Sequence, residues 1–207
     1  MPGIIKNTLL GYTPTDFEVE NTINPTRIFR INNIVKPGII LYLCEREIRT
    51  KDNFALQFAI QKSKSLKLTL KIIHPKINYE HQPKQNFIDN QIAQAQKMYH
   101  DLNLDFQIID KHPIEIIKKY NPSLLIIDFN PIFKRNYLKD INCKIYEIDG
   151  HNIVPARFVS NKQEYNAATL RRKIFYFIYY FSHYFILTFV IQIYLFIDKY
   201  IDKFKMY

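Results

Sequence analysis

Apolar positions follow two different rhythms along the chain. Between residues 39 and 150, short unbroken apolar runs alternate with longer stretches in which apolar residues recur three and four apart. Ile39-Ile40-Leu41-Tyr42-Leu43-Cys44 is one such run, the pattern of a strand covered on both faces. Phe54, Ala55, Phe58 and Ala59 then mark the inner face of a helix that Asp52 is placed to cap. Leu66 to Ile73 reads as a second strand, and residues 86–101 as a helix with Ile88, Ile92, Ala95 and Tyr99 on one stripe. A third strand follows at Phe106-Gln107-Ile108-Ile109, and Pro113 suits the first turn of a helix running to Tyr120. Ser123 to Asp128 is a fourth strand, 132–139 a short helix, and Lys144 to Ile148 a fifth strand.

Strands alternating with helices require crossover connections, which give a parallel sheet with helices on both faces. The fold class expected is therefore α/β: a Rossmann-like five-stranded parallel sheet over residues 39–150. Residues 1–38 contain Pro2, Pro14, Pro25 and Pro37 and no sustained period, and read as a loosely structured arm. Residues 151–174 read as a connector, and 175–207 as an aromatic and apolar helix unrelated to the fold.

Composition narrows the chemistry. The chain has four glycines, at positions 3, 11, 38 and 150, so the loop after the first strand, Glu45-Arg46-Glu47-Ile48-Arg49-Thr50-Lys51, has none. A glycine-rich phosphate cradle is excluded there, and with it the dehydrogenase and nucleotide-hydrolase readings. Cys44 and Cys143 lack metal-ligand spacing and read as two buried reduced thiols of a cytoplasmic protein. The formal net charge of +10 would favour an anionic partner such as DNA, but the basic residues are scattered. The absence of Trp and the abundance of Ile, Lys, Asn, Tyr and Phe point to AT-rich coding, which raises Lys without selecting a basic surface.

Four segments carry a more specific signal. Asp149-Gly150-His151-Asn152-Ile153-Val154-Pro155, with Lys162-Gln163-Glu164-Tyr165 and Arg171-Arg172-Lys173 behind it, resembles the end of the N-terminal α/β domain of class II cyclobutane pyrimidine dimer photolyases. Tyr42-x-x-x-Arg46-x-x-Arg49-x-x-Asp52-Asn53-Phe54-Ala55-Leu56 resembles that family's Tyr-Trp-x-x-Arg-Asp-x-Arg-x-x-Asp-Asn-Trp-Ala-Leu signature. Arg27-Ile28 is similar to its Arg-Ile entry, and Asp128-Phe129-Asn130-Pro131 to its Asp-Phe-Ser-Pro. The resemblance covers residues 27–174 in order. It departs from the family at Phe54 and Leu43, where Trp is usual, at Gly150, where Ala is common, at Ala156-Arg157 for Cys-Trp, and at Lys111-His112 for a Gly-Asp turn.

The resemblance implies an antenna domain, which in many members holds a light-harvesting chromophore, often a deazaflavin, near the carboxyl ends of the strands. Arg46, Asp52, Asn53 and Asp128 are then the candidates for that edge. For Asp52 and Asn53 the alternative is to cap a helix and fix a turn; for Arg46 and Arg49 it is to pair with acids of their loop or to face another domain. Asp128 equally suits a helix cap, and His151 and Asn152 a fixed turn. The FAD, the dimer pocket and the light-dependent repair of DNA belong to a helical domain that should begin after Ile174. The chain is accordingly expected to be a truncated antenna domain, inactive alone. It would act on damaged DNA through a separately encoded flavin domain.

Residues 175–197 contain no Asp, Glu, Lys or Arg, and 11 of the 23 are Phe or Tyr. As a helix they would extend about 35 Å, enough to cross a hydrocarbon core of about 30 Å. Arg171-Arg172-Lys173 precedes them, and the tyrosines avoid Phe185–Ile193. Against a span stand His183, Gln192 and the absence of Ala and Gly; an accidental translation of AT-rich DNA is the competing account. The alternative function is a membrane-tethered small-ligand or interaction module on the same α/β domain.

Overall fold

The computed structural model describes residues 23–76, 78–132, 135–160, 162, 164–178 and 181. The chain divides into two compact units, Met1–His151 and Asn152–Tyr207.

The first unit is built on a six-stranded sheet in the order β1-β6-β5-β2-β3-β4. Its strands are β1 (Ile28–Asn33), β2 (Ile40–Leu43), β3 (Leu70–Pro75), β4 (Phe106–Ile109), β5 (Leu124–Asp128) and β6 (Lys144–Ile148). All neighbours from β6 through β4 are parallel, and β2 sits at the centre with Ile40 opposite Leu70 on one side and Leu124 on the other. The α/β class and the five parallel strands are those the apolar runs predict. The sixth, β1, is antiparallel to β6, with Ile28 opposite Ile148, and comes from the segment read as an arm.

Successive side chains of each strand point to opposite faces, so an unbroken apolar run serves two cores at once. Ile40, Tyr42, Cys44, Ile72, Ile126 and Tyr146 lie on the face covered by α1 (Phe54–Leu66) and α2 (Gln82–Asp101), which contribute Ala55, Phe58, Ala95 and Tyr99. Leu41, Leu43, Ile73, Leu125, Ile127 and Ile145 face α3 (Pro113–Tyr120) and a 3-10 turn at Asn136–Asp140, which contribute Ile116, Ile117 and Leu138. Aromatic pairs tie the first face together: Tyr99 stacks on Phe106 at 4.3 Å between centroids, and Phe58 meets Tyr146 edge-on at 5.2 Å.

Several boundaries differ from the sequence reading, and helix α2, read from residue 86, begins at Gln82. Helix α1 runs on through Leu66 and ends at Lys67, whose left-handed φ of 53° closes it, so β3 starts at Leu70. Where a short helix is expected over 132–139, the described residues form a 3-10 turn at Asn136–Asp140. The cap of α1 is Asn53, not Asp52: Asn53 is extended, and its side chain accepts from the Leu56 N–H at 2.8 Å. Asp52 instead has φ 51°, a left-handed turn residue exposed to solvent. Gly38 is required just before β2, because at φ 148° a Cβ would lie 2.9 Å from the Ser123 backbone nitrogen.

In the second unit a short helix, α4 (Ala156–Val159), is followed by a helix over 167–178. Phe158, Phe177 and Phe181 pack edge to face around Val154 and Val159. Lys173 bonds Glu164 at 2.5 Å, and Ser160 bonds it at 2.7 Å. These contacts, the Lys173 bond first, hold the Glu164 carboxyl at about 2, below the usual carboxylate range. Among the described residues no helix is long and apolar enough to cross a membrane. The expected span over 175–197 falls, apart from 175–178 and Phe181, outside the described residues.

Candidate functional site

The strand order reverses direction at β2 and β5, and the carboxyl ends of these two central strands are where open parallel sheets place their ligands. Here that edge is laced by the chain's own polar groups. Asp128, the last residue of β5, is fully buried, and its carboxylate accepts three hydrogen bonds. They come from the Tyr42 hydroxyl at 2.7 Å and from the backbone N–H groups of Arg46 at 2.8 Å and Glu47 at 3.1 Å. One carboxylate thus pins the loop after β2 across the switch point. Burial, and then the neighbouring Asp128 charge, push the Tyr42 hydroxyl well above its ordinary range, so it remains a donor.

Asn53 secures the other end of the same loop. Its amide nitrogen donates to the Glu47 carbonyl at 2.6 Å, the Arg49 carbonyl at 3.0 Å and the Tyr42 hydroxyl at 3.2 Å, while its oxygen caps α1. The Cys44 thiol donates to the Glu47 carbonyl at 3.0 Å, and burial pushes its pKa well up, so it is not a thiolate nucleophile. The Arg46 guanidinium is exposed and donates to the Phe129 carbonyl at 3.1 Å.

The segment 149–151 closes against this loop. Arg27, buried at the foot of β1, donates to the Asp149 carbonyl at 3.0 Å and lies over the Phe54 ring at 4.6 Å. Arg49 reaches the Asp52 carbonyl at 3.0 Å, the Gly150 carbonyl at 3.4 Å and the Glu47 carboxylate at 3.3 Å. Glu47 itself is buried, its side chain 1% exposed, with Oε1 3.1 Å from His151 Nδ1. Its carboxylate lies so close over Gly150 that a Cβ there would stand 2.2 Å from Oε1. Burial first, then the Asp128 charge, raise Glu47 to about 7, with Arg49 opposing. Burial and the Arg46 charge lower His151 below its usual value.

Of the residues singled out from sequence, Arg46, Asn53 and Asp128 converge on this network, and Asn53 and Asp128 are wholly enclosed. Asp52 lies at its rim and offers its backbone carbonyl to Arg49. Glu47 is not among the sequence candidates: in sequence it is indistinguishable from Glu45, and the one hint is a glycine at 150 in a chain with four. Arg135 is likewise missed by sequence reasoning; it donates to the Asp128 carbonyl at 2.7 Å and pairs with Glu45 and, at 3.5 Å, Glu147. No group of three or more metal-ligating side chains occurs among the described residues.

Fold and edge together define an open, mostly parallel α/β domain whose switch-point crevice is stitched by buried carboxylates and arginines. The chain is 26% identical over 151 residues to the deoxyribodipyrimidine photo-lyase of Arabidopsis thaliana, a match covering 66% of this chain and 30% of that protein. This similarity supports a distant relationship to the photolyase family. No family model matches the chain. The chain therefore spans about a third of the length of the curated relative it matches.

Proposed function

We propose that the chain acts as the N-terminal α/β domain of a photolyase-like protein of the class II type, contributing to light-dependent repair of pyrimidine dimers in DNA. The observation that carries this reading is convergence. Tyr42, Arg46, Arg49 and Asn53, then Asp128, then Asp149 and Gly150, and Arg27, come from the four separate segments that resemble the family, and they meet in one hydrogen-bonded network. Their work in this chain is positional: they fix the loop after β2 and the segment 149–151 against the sheet edge. Splitting of the dimer belongs, in this reading, to an FAD-binding domain, and the chain's contact with damaged DNA runs through that domain.

A deazaflavin at this edge would meet Arg46 and Asp52, which face solvent, rather than Asn53 and Asp128, whose polar atoms are spent inside the chain. The test is co-production of this chain with the flavin domain of the Arabidopsis photolyase. Co-purification is expected, together with faster dimer loss in irradiated oligonucleotides under light than with the flavin domain alone. No association and unchanged repair would overturn the proposal. Titration of a deazaflavin into the full chain, followed by fluorescence anisotropy, tests the antenna role separately.

A further inference from the structure

Glu47 is a buried titratable group that the positional role above does not use. Its backbone is held by Asp128 and Asn53, and its carboxyl lies over Gly150 and beside His151. The groups facing it are Arg46 and Arg49 from its own loop, Asp128 from β5, Asp149 and His151 from the closing segment, and Arg27 from the foot of β1. Tyr42, Cys44 and Tyr99 complete the surround; all three are buried, and burial keeps them in their neutral forms. Two further carboxylates, Asp128 and Asp149, are thus buried beside Glu47, while Arg49, its nearest cation, is half exposed.

Hydrogen-bond geometry makes the same point independently. Oε1 is buried and accepts no well-directed hydrogen bond among the described residues, although His151 Nδ1 is only 3.1 Å away. A buried carboxylate oxygen without a donor is costly. Protonation lowers that cost, because a neutral carboxyl is far cheaper to bury than an unpaired carboxylate.

We propose that Glu47 holds a proton beside a neutral His151 in the closed structure, and that this proton latches the segment 149–151 onto the sheet edge, so that the segment loosens when Glu47 is deprotonated. This goes beyond the family reading and does not depend on it. The sign follows from the two shifts. Glu47 lies above its ordinary value, so its contribution to closure is present in acid and lost as pH rises through about 7. His151 is shifted down, so its own contribution is lost as pH falls below its ordinary 6.5. In mild acid the two offset each other, since closure merely hands the proton from the imidazole to the carboxyl; the net dependence is confined to the interval between the ordinary imidazole value of 6.5 and about 7.

The experiment is hydrogen exchange of the full chain between mildly acidic and mildly alkaline pH, read as protection factors at 149–151. Protection is expected to fall by about threefold in all, the equivalent of about half a pH unit, as pH rises through about 7, and then to level off, while Glu47→Gln keeps its protection at high pH. A flat wild-type profile, or the same fall in the Gln variant, would overturn the latch. Should the variant not fold, carboxyl NMR of Glu47 in the unaltered chain decides the question: titration near 7 supports the latch, and titration near the ordinary value excludes it.

Discussion

Gly150 and Glu47 form a size-matched pair, and their contact predicts a specific pattern of loss and rescue. Gly150→Ala drives a Cβ into the Glu47 carboxylate and should cost about 1–3 kcal/mol in urea unfolding, the usual range for overpacking. Glu47→Asp shortens the acid and should recover most of that loss in the double variant; additive losses would show that the clash is relieved elsewhere. Asp128→Ala strips the acceptor from one hydroxyl and two N–H groups at once, and should cost about 3 kcal/mol or more by the same measurement. Arg46→Ala, whose guanidinium is exposed, should stay within about 0.5 kcal/mol. None of this ranking can be read from the sequence, where Arg46 and Asp128 are equally prominent in the motif. Burial separates them, and burial is decided by partners more than eighty residues away in the chain.

The parallel strands and their helices are legible in the sequence because each strand is covered on both faces, which leaves an unbroken apolar run with turn residues at its ends. Strands β4 and β6 fall where the runs place them. Strand β1 is not legible: as an antiparallel edge it buries only Ile28 fully, and Arg30, Asn32 and Asn33 dilute any alternation. The start of β3 is misplaced because Leu66 and Leu68 extend its apolar pattern backward across a helix end that only Lys67's left-handed turn defines. At the start of α1 two adjacent cap-forming residues compete, and local sequence does not choose between them. The structure predicts opposite outcomes. Asn53→Ala should lower the melting temperature, losing a cap worth about 1 kcal/mol and two N–H donors shared among three acceptors. Asp52→Gly should raise stability by about 0.5 kcal/mol, because glycine holds a left-handed φ without strain.

For the first unit as a whole, the raised Glu47 predicts that unfolding free energy declines as pH rises through about 7, and that Glu47→Gln flattens this decline. Denaturant midpoints at several pH values check it; a wild-type midpoint that climbs across neutrality would contradict the assignment. The edge pairing of β1 with β6 bears on how such a chain is made. Ile28 finds its partner Ile148 only after about 120 more residues have been added. At ordinary synthesis rates that is a delay of about 6–24 s. During this interval the parallel strands from β2 to β5 can assemble, while β1 waits with its backbone unpaired. Such a strand is open to pairing with a neighbouring nascent chain, so crowded translation should favour exchange of β1 between copies.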